Sequence, residues 1–182
     1  MAYTRKKMLI VDGYNVVRSG LRYIHMREEE DFTYESYNKV RDALISDVAA
    51  FAGSEYKATI VFDAAENSES AGKTQRIGGV TVVFSPFGSS ADKVIEKLAY
   101  EGRGQNMEVL VVTSDAAIQD TVFGNGVDRM SANGFSHEVE NLHNDSTDIQ
   151  EEYARETARK STVASRVSPE VLAKLTALRD GK

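Results

Sequence analysis

The chain has 182 residues, no cysteine and a formal net charge of −6. That length suits one domain with a sizeable core and a terminal extension, and the missing cysteines exclude disulfides, thiolate zinc sites and a cysteine nucleophile, leaving oxygen and histidine for any metal. The acidic balance argues against tight, sequence-blind binding to naked nucleic acid, which draws on Lys and Arg at phosphates.

Arg5-Lys6-Lys7 opens like a signal peptide, but its apolar run ends after Met8 to Val11 at Asp12. No later stretch approaches the roughly 18 apolar residues of a membrane span. A soluble, cytoplasmic protein with no membrane partner is expected. The first apolar run predicts a strand over about residues 8–12, leading into a turn at Gly13-Tyr14-Asn15 and a polar stretch with Glu28-Glu29-Glu30-Asp31. Val40, Leu44, Ile45, Val48 and Phe51 recur at helical spacing, predicting a helix from near Thr33 to Ala52 with Gly53 as its stop. A second strand over about 57–63 ends at Asp63, and Ala64 to Gly79 reads as a long polar loop of the functional kind.

Val80 to Phe84 predicts a third strand, broken by Ser85-Pro86-Phe87-Gly88. Ser89 or Ser90 caps the next helix, whose apolar face is Val94, Ile95, Leu98 and Ala99 and which Gly102 and Gly104 end. A fourth strand over about 107–113 meets Ser114, a natural cap for a helix holding Ile118, Val122 and Phe123. Gly124-Asn125-Gly126 then turns the chain into a short strand near Val127 to Met130, and a last core helix is expected within Ser131 to Leu142. Strands alternating with helices predict an α/β fold with a mostly parallel sheet covered on both faces. Beyond His143 apolar residues thin out until Val171, so the chain divides into a domain over 1–142 and a helical extension over 143–182. In the extension Ser168-Pro169-Glu170 is a helix-start signal before the stripe Val171, Leu172, Leu175 and Leu178.

Three apolar runs end in an acid: Asp12, Asp63 and, after Thr113-Ser114, Asp115. Runs of this kind read as buried parallel strands, whose carboxyl ends form the edge where open α/β folds place their sites. A fourth acid, Asp92, stands at a helix start that can face the same edge. Each has a local explanation, as a turn former, a cap or a charge suited to a helix N-terminus. Together they point to a shared site for a hard divalent cation, because converging carboxylates repel each other.

Competing motifs fail on particular residues. Gly72-Lys73-Thr74 mimics the end of a phosphate-binding P-loop, but position 67 is Asn where glycine is needed. The turn after the first strand lacks the dinucleotide-binding glycine pattern, and Tyr14 occupies the position where a haloacid-dehalogenase-like phosphatase needs a second Asp. His25, His137 and His143 show no zinc spacing.

Leu9-Ile10-Val11-Asp12-Gly13-Tyr14-Asn15, Val61-Phe62-Asp63-Ala64, Ser90-Ala91-Asp92-Lys93-Val94-Ile95-Glu96, Val112-Thr113-Ser114-Asp115, Gly124-Asn125-Gly126, Ser131-Ala132 and Glu138-Val139-Glu140 follow in unbroken order. Over about residues 8–142 this set resembles the NYN-domain family, more narrowly its YacP-like branch, which includes a ribosome-associated endoribonuclease. That family is similar to PIN-domain nucleases. The resemblance implies a PIN-like three-layer α/β/α sandwich and Mg²⁺- or Mn²⁺-dependent cleavage of RNA, mRNA at the ribosome in particular. It makes Asp12, Asp92 and Asp115 metal-site acids, with Asn15 and Ser114 supporting or touching the scissile phosphate and Asp63 a further ligand or supporting group. An additional acid is expected from the helix after the first strand, where Glu35, Asp42 and Asp47 are all open choices.

Phosphate steering needs positive charge nearby, for which Lys73, Arg76, Lys93, Lys97, Arg18 and Arg22 are candidates, while Tyr14 could stack on a base or fill its turn. A second reading keeps the fold but little catalysis, as an RNA or ribosome adaptor. Weak intrinsic RNA affinity suits a protein delivered to its substrate by a larger partner.

Overall fold

The structure, a computed structural model, describes residues 6–28, 34–64, 71–118 and 126–166. Its sheet comprises β1 (Lys7–Asp12), β2 (Tyr56–Phe62), β3 (Thr74–Ile77), β4 (Val80–Phe84), β5 (Glu108–Val112) and β6 (Val127–Met130), in the spatial order β3-β4-β2-β1-β5-β6. Every neighbouring pair is parallel except β3 with β4. The helices are α1 (Gly13–Ser19), α2 (Leu21–Glu28), α3 (Tyr34–Ala52), α4 (Ala91–Gly104) and α5 (Ala132–Arg166).

Successive side chains of the central strands serve two cores. Leu9, Val11, Ile60 and Phe62 join Val16, Leu44, Val48 and Phe135 in one cluster, while Met8, Ile10, Val61, Val109 and Val111 join Ile95 and Ala99 of α4 in another. Because a strand alternates its faces, these clusters lie on opposite sides of the sheet, giving the three-layer α/β/α sandwich. Burial on both sides is also why β1, β2 and β5 are near-continuous apolar runs.

Three elements depart from the sequence reading. The turn expected at Gly13 is the first residue of α1, and the chain continues as α2 after a break at Gly20, whose N–H still donates to the Val16 carbonyl at 2.8 Å. Gly13 is required by close approach, since a Cβ there would run into the Phe62 ring. Within the expected long loop, Thr74–Ile77 forms the edge strand β3, paired antiparallel with β4 through Gly78-Gly79. Both glycines have positive φ, 57° and 86°, the pattern of a type I′ hairpin turn. Ser114 does not cap a following helix: its Oγ accepts from the Ala132 N–H at 3.0 Å, and only a helical turn over 116–118 is described there. Val122, Phe123, Gly124 and Asn125 lie outside the described residues, as do Thr33, the Glu29-Glu30-Asp31 run and the helix start expected at Ser168.

The chain divides into two compact units, Met1–Leu142 and His143–Lys182. In the first, Ala132, Phe135 and Val139 are buried. In the second, the described residues are helical and mostly exposed, with Arg155 bonded to Glu151 one turn back at 3.0 Å. No helix among the described residues is long and apolar enough to cross a membrane.

Candidate active site

Parallel pairing brings the carboxyl ends of β1, β2 and β5 to one edge, with Asp12 level with Val61 and Val11 level with Val112. Asp12 closes β1 and is also the N-cap of α1, so its carboxylate is held by the chain on both sides. It is 7 % exposed; its Oδ1 accepts from the Asn15 N–H at 3.3 Å and its Oδ2 from the Thr113 hydroxyl at 3.1 Å. Burial pushes its pKa up to about 6; the Asn15 and Thr113 hydrogen bonds work against that rise, and the charges of Asp92 and Asp115 add to it.

The fully buried Thr113 links two of the acids, because its Oγ1 also accepts from the Asp115 N–H at 3.1 Å. Asp115 Oδ1 accepts from the Ala117 N–H at 2.8 Å. Beside it the Ser114 N–H donates to Asn15 Oδ1 at 2.7 Å, joining the end of β5 to α1. Asp92 lies in the first turn of α4, whose N-cap is Ser90. Its pKa is also raised, by partial burial first and then by Asp115, Asp63 and Glu96. Asp63 Oδ1 accepts from the Ser85 hydroxyl at 3.2 Å, and Ser85 Oγ itself accepts from the Ala64 N–H at 3.0 Å.

Asp12, Asp63, Asp92 and Asp115 thus share one electrostatic neighbourhood. Thr113 and Ser85 are supporting residues that sequence reasoning missed. Both follow an apolar run directly, the position from which a hydroxyl can reach a neighbouring strand-end acid. Of the acids on the helix after β1, Asp47 is engaged elsewhere. Asp47 is buried and bonded to Arg22 Nε at 2.8 Å and the Tyr23 hydroxyl at 3.0 Å, which ties α2 to α3 and takes Arg22 away from the phosphate-steering role expected of it. Glu35 is exposed, and the largely exposed Asp42 lies 3.7 Å from Arg41.

Among the described residues no three acids or histidines stand together ready to ligate one ion. The donors are all hard oxygens, however, and the charge of each acid raises the cost of ionising its neighbours. That fits Mg²⁺ or Mn²⁺, since Mg²⁺ commonly keeps several waters and takes only one or two carboxylates. Of the candidate RNA contacts, Lys73, Arg76 and Lys93 are exposed, with Lys93 one residue from Asp92. Tyr14 is half-buried, its ring centroid 5.0 Å from Phe62 and 5.9 Å from Tyr37, and Arg18 lies 5.9 Å from its ring centre. It is packed as part of the core wall. His25, His137 and His143 are exposed.

Comparison with known proteins agrees with this fold. The family model of the YacP-like NYN domain matches residues 9–180, reaching well beyond the 8–142 span of the sequence motifs. YacP of Bacillus subtilis (strain 168), described as uncharacterized, is 31 % identical over 135 residues, covering 74 % of this chain and 76 % of its own. The crystal structure of Rae1 (YacP) from Bacillus subtilis aligns with TM-score 0.63 at 30 % identity, covering 96 % of this chain and 95 % of that one. A crystal structure of a tryptophan-to-leucine mutant of Rae1 aligns with TM-score 0.58 at 27 % identity, covering 92 % of this chain and 89 % of the mutant. Matched by the family model over residues 9–180 and alike in fold to Rae1, the chain belongs to the YacP-like NYN domain family, a family of nucleases.

Proposed function

We propose that this protein is a Mg²⁺- or Mn²⁺-dependent endoribonuclease that hydrolyses RNA phosphodiester bonds, with mRNA at the ribosome as its substrate in the cytoplasm. The observation that carries the reading is the gathering of Asp12, Asp115 and Asp92 at the carboxyl edge of the sheet, with Asp12 buried and tied to the Asp115 backbone through Thr113. Burying a carboxylate beside other carboxylates costs stability, and a site that does so at the carboxyl edge of a parallel sheet is organised for a cation.

Asp12 and Asp92 would hold the ion, with Asp115 and Asp63 direct or through water; when bound, it supplies positive charge for the phosphate and lowers the pKa of an attacking water. The chain's own contribution is orientation. Thr113 fixes Asp12 and the Asp115 backbone with one hydroxyl. Asn15 spends its carbonyl oxygen on the Ser114 N–H, which leaves its Nδ2 group as the donor for a phosphate oxygen. Ser85 holds Asp63.

The name Rae1 (YacP) belongs to the crystal structures of the Bacillus subtilis relative, and the ribosome and mRNA come to this chain through the family resemblance. The test is cleavage of an RNA substrate by the purified protein. Cleavage should need Mg²⁺ or Mn²⁺, stop with Asp12→Asn, and leave 5′-phosphate and 3′-hydroxyl ends. Products ending in 2′,3′-cyclic phosphate, formed in EDTA, would show the reading to be wrong.

A further inference from the structure

Between α4 and the outer part of the sheet runs an open groove of about 440 Å³, with Thr74, Val83 and Pro86 on one wall and Lys93, Lys97 and Leu98 on the other. On each wall a lining residue is next in sequence to a residue of the acidic site. Pro86 follows Ser85, whose hydroxyl holds Asp63, and Lys93 follows Asp92. Between the lining residues Pro86 and Ser89 the chain carries Phe87, which is 80 % exposed.

Phe87 is not on a loose loop. The Ser89 N–H donates to the Pro86 carbonyl at 3.0 Å, and Gly88 takes φ 75°, the value required at the third position of a type II turn. The turn therefore presents a large apolar ring to water from a fixed backbone. A ring so held is suited to stacking on a base, because it loses little conformational freedom on binding. The opposite wall supplies charge. Lys93 and Lys97 lie one helical turn apart on exposed positions of α4. Lys97 approaches Glu101 at only 3.9 Å with both side chains exposed, a pairing that a phosphate can displace. An apolar floor, an exposed ring and two cations next to a phosphodiester site match a single-stranded nucleic acid, whose base faces are open to stacking, better than a duplex, whose base faces are not.

We propose that this groove takes the RNA strand on one side of the scissile phosphate, with Phe87 stacked on a base and Lys93 and Lys97 at successive phosphates. The proposal rests on the RNA-cleaving reading above and adds that the substrate is single-stranded where it leaves the acids. The probe is a fluorescent single-stranded oligoribonucleotide, titrated by anisotropy against the full chain carrying Asp12→Asn at several salt concentrations. Adding Phe87→Ala should weaken binding by about 5-fold to 100-fold, the range for removing one base-stacking ring. Adding Lys93→Gln and Lys97→Gln should flatten the salt dependence by about 0.7 in log–log slope for each phosphate that is no longer neutralised. Lys57→Gln, at an exposed position of β2 outside the groove, should change neither.

If the parent chain cleaves this RNA while the groove variants bind like the Asp12→Asn protein, the groove assignment is overturned and the nuclease reading stands. Equal binding of a perfect duplex would also overturn it. If the parent chain neither binds nor cleaves RNA, the functional reading falls and takes the groove with it.

Discussion

Asp12→Asn should make the metal-free protein more stable while abolishing cleavage. In the folded chain burial raises the carboxyl to about 6 from an ordinary 3.8, so between those values the native state holds a proton that the unfolded chain has lost. Stability therefore falls as pH rises through that window, and the full cost is present above pH 6 and absent below 3.8. At 1.36 kcal/mol per pH unit the difference amounts to about 3 kcal/mol, an upper figure because the structure relaxes around a buried charge. Asparagine keeps the shape and the oxygen that accepts from the Asn15 N–H. Its Nδ2 group can donate to Thr113 Oγ1, which already serves the Asp115 N–H. The expected gain is about 1 to 3 kcal/mol at pH 8. Urea unfolding in EDTA at pH 8, 6 and 4 measures it: the advantage of the variant should change little from pH 8 to 6 and be mostly lost by pH 4, and Mg²⁺ or Mn²⁺ should stabilise the parent but not the variant. A variant less stable than the parent at pH 8, or a difference that does not vary with pH, would refute the claim that Asp12 is held at an energetic cost.

The affinity of the free site for Mn²⁺ should fall as pH drops through about 6, because a protonated Asp12 cannot hold the ion, and Thr113→Val should move that fall to higher pH by removing a hydrogen bond that favours the charged form; calorimetric titrations of the two proteins at several pH values check this. Asp47→Ala should cost about 3 to 5 kcal/mol in urea unfolding by removing the buried carboxylate that Arg22 and the Tyr23 hydroxyl share, while RNA cleavage by the protein that remains folded persists. Gly13→Ala should cost about 1 to 3 kcal/mol through its clash with Phe62, read in the same denaturation assay. Ser85→Ala should lower the affinity for Mn²⁺, measured by calorimetry, because Asp63 loses the hydroxyl that holds it.

The parts of the fold legible in the sequence were those buried on two faces. β1, β2 and β5 carry unbroken apolar runs because helices cover both sides, and α3 and α4 show their apolar stripes over several turns. α1 and α2 leave no such trace: each is at most eight residues long, and Val16, Val17 and Tyr23 are too few to establish a period. β3 is hidden for the opposite reason, since all four of its residues are exposed and no alternation marks them. Gly78-Gly79 before a strand was the available signal, because two adjacent glycines at positive φ make a hairpin turn. In the site, Asp12, Asp92 and Asp115 were readable from strand ends and a helix start, and the structure also draws Asp63 into the field of Asp92. The partners of Asp12 and Asp63 were harder to see, because Thr113 and Ser85 act across 101 and 22 residues of sequence and only strand pairing brings them near.

The edge position of β3 bears on how the protein behaves in concentrated solution. It is the last strand in the sheet order, and its residues Thr74, Gln75, Arg76 and Ile77 are all exposed. An edge strand offers its outer backbone groups to any other extended chain, and charged side chains are a common defence against such pairing. Arg76 on the strand and Lys73 just before it, both candidates for phosphate steering, therefore also guard against self-association. Neutralising both would leave a polar but uncharged edge ending in a partly exposed isoleucine, and light scattering should detect larger species in that variant before any loss of fold.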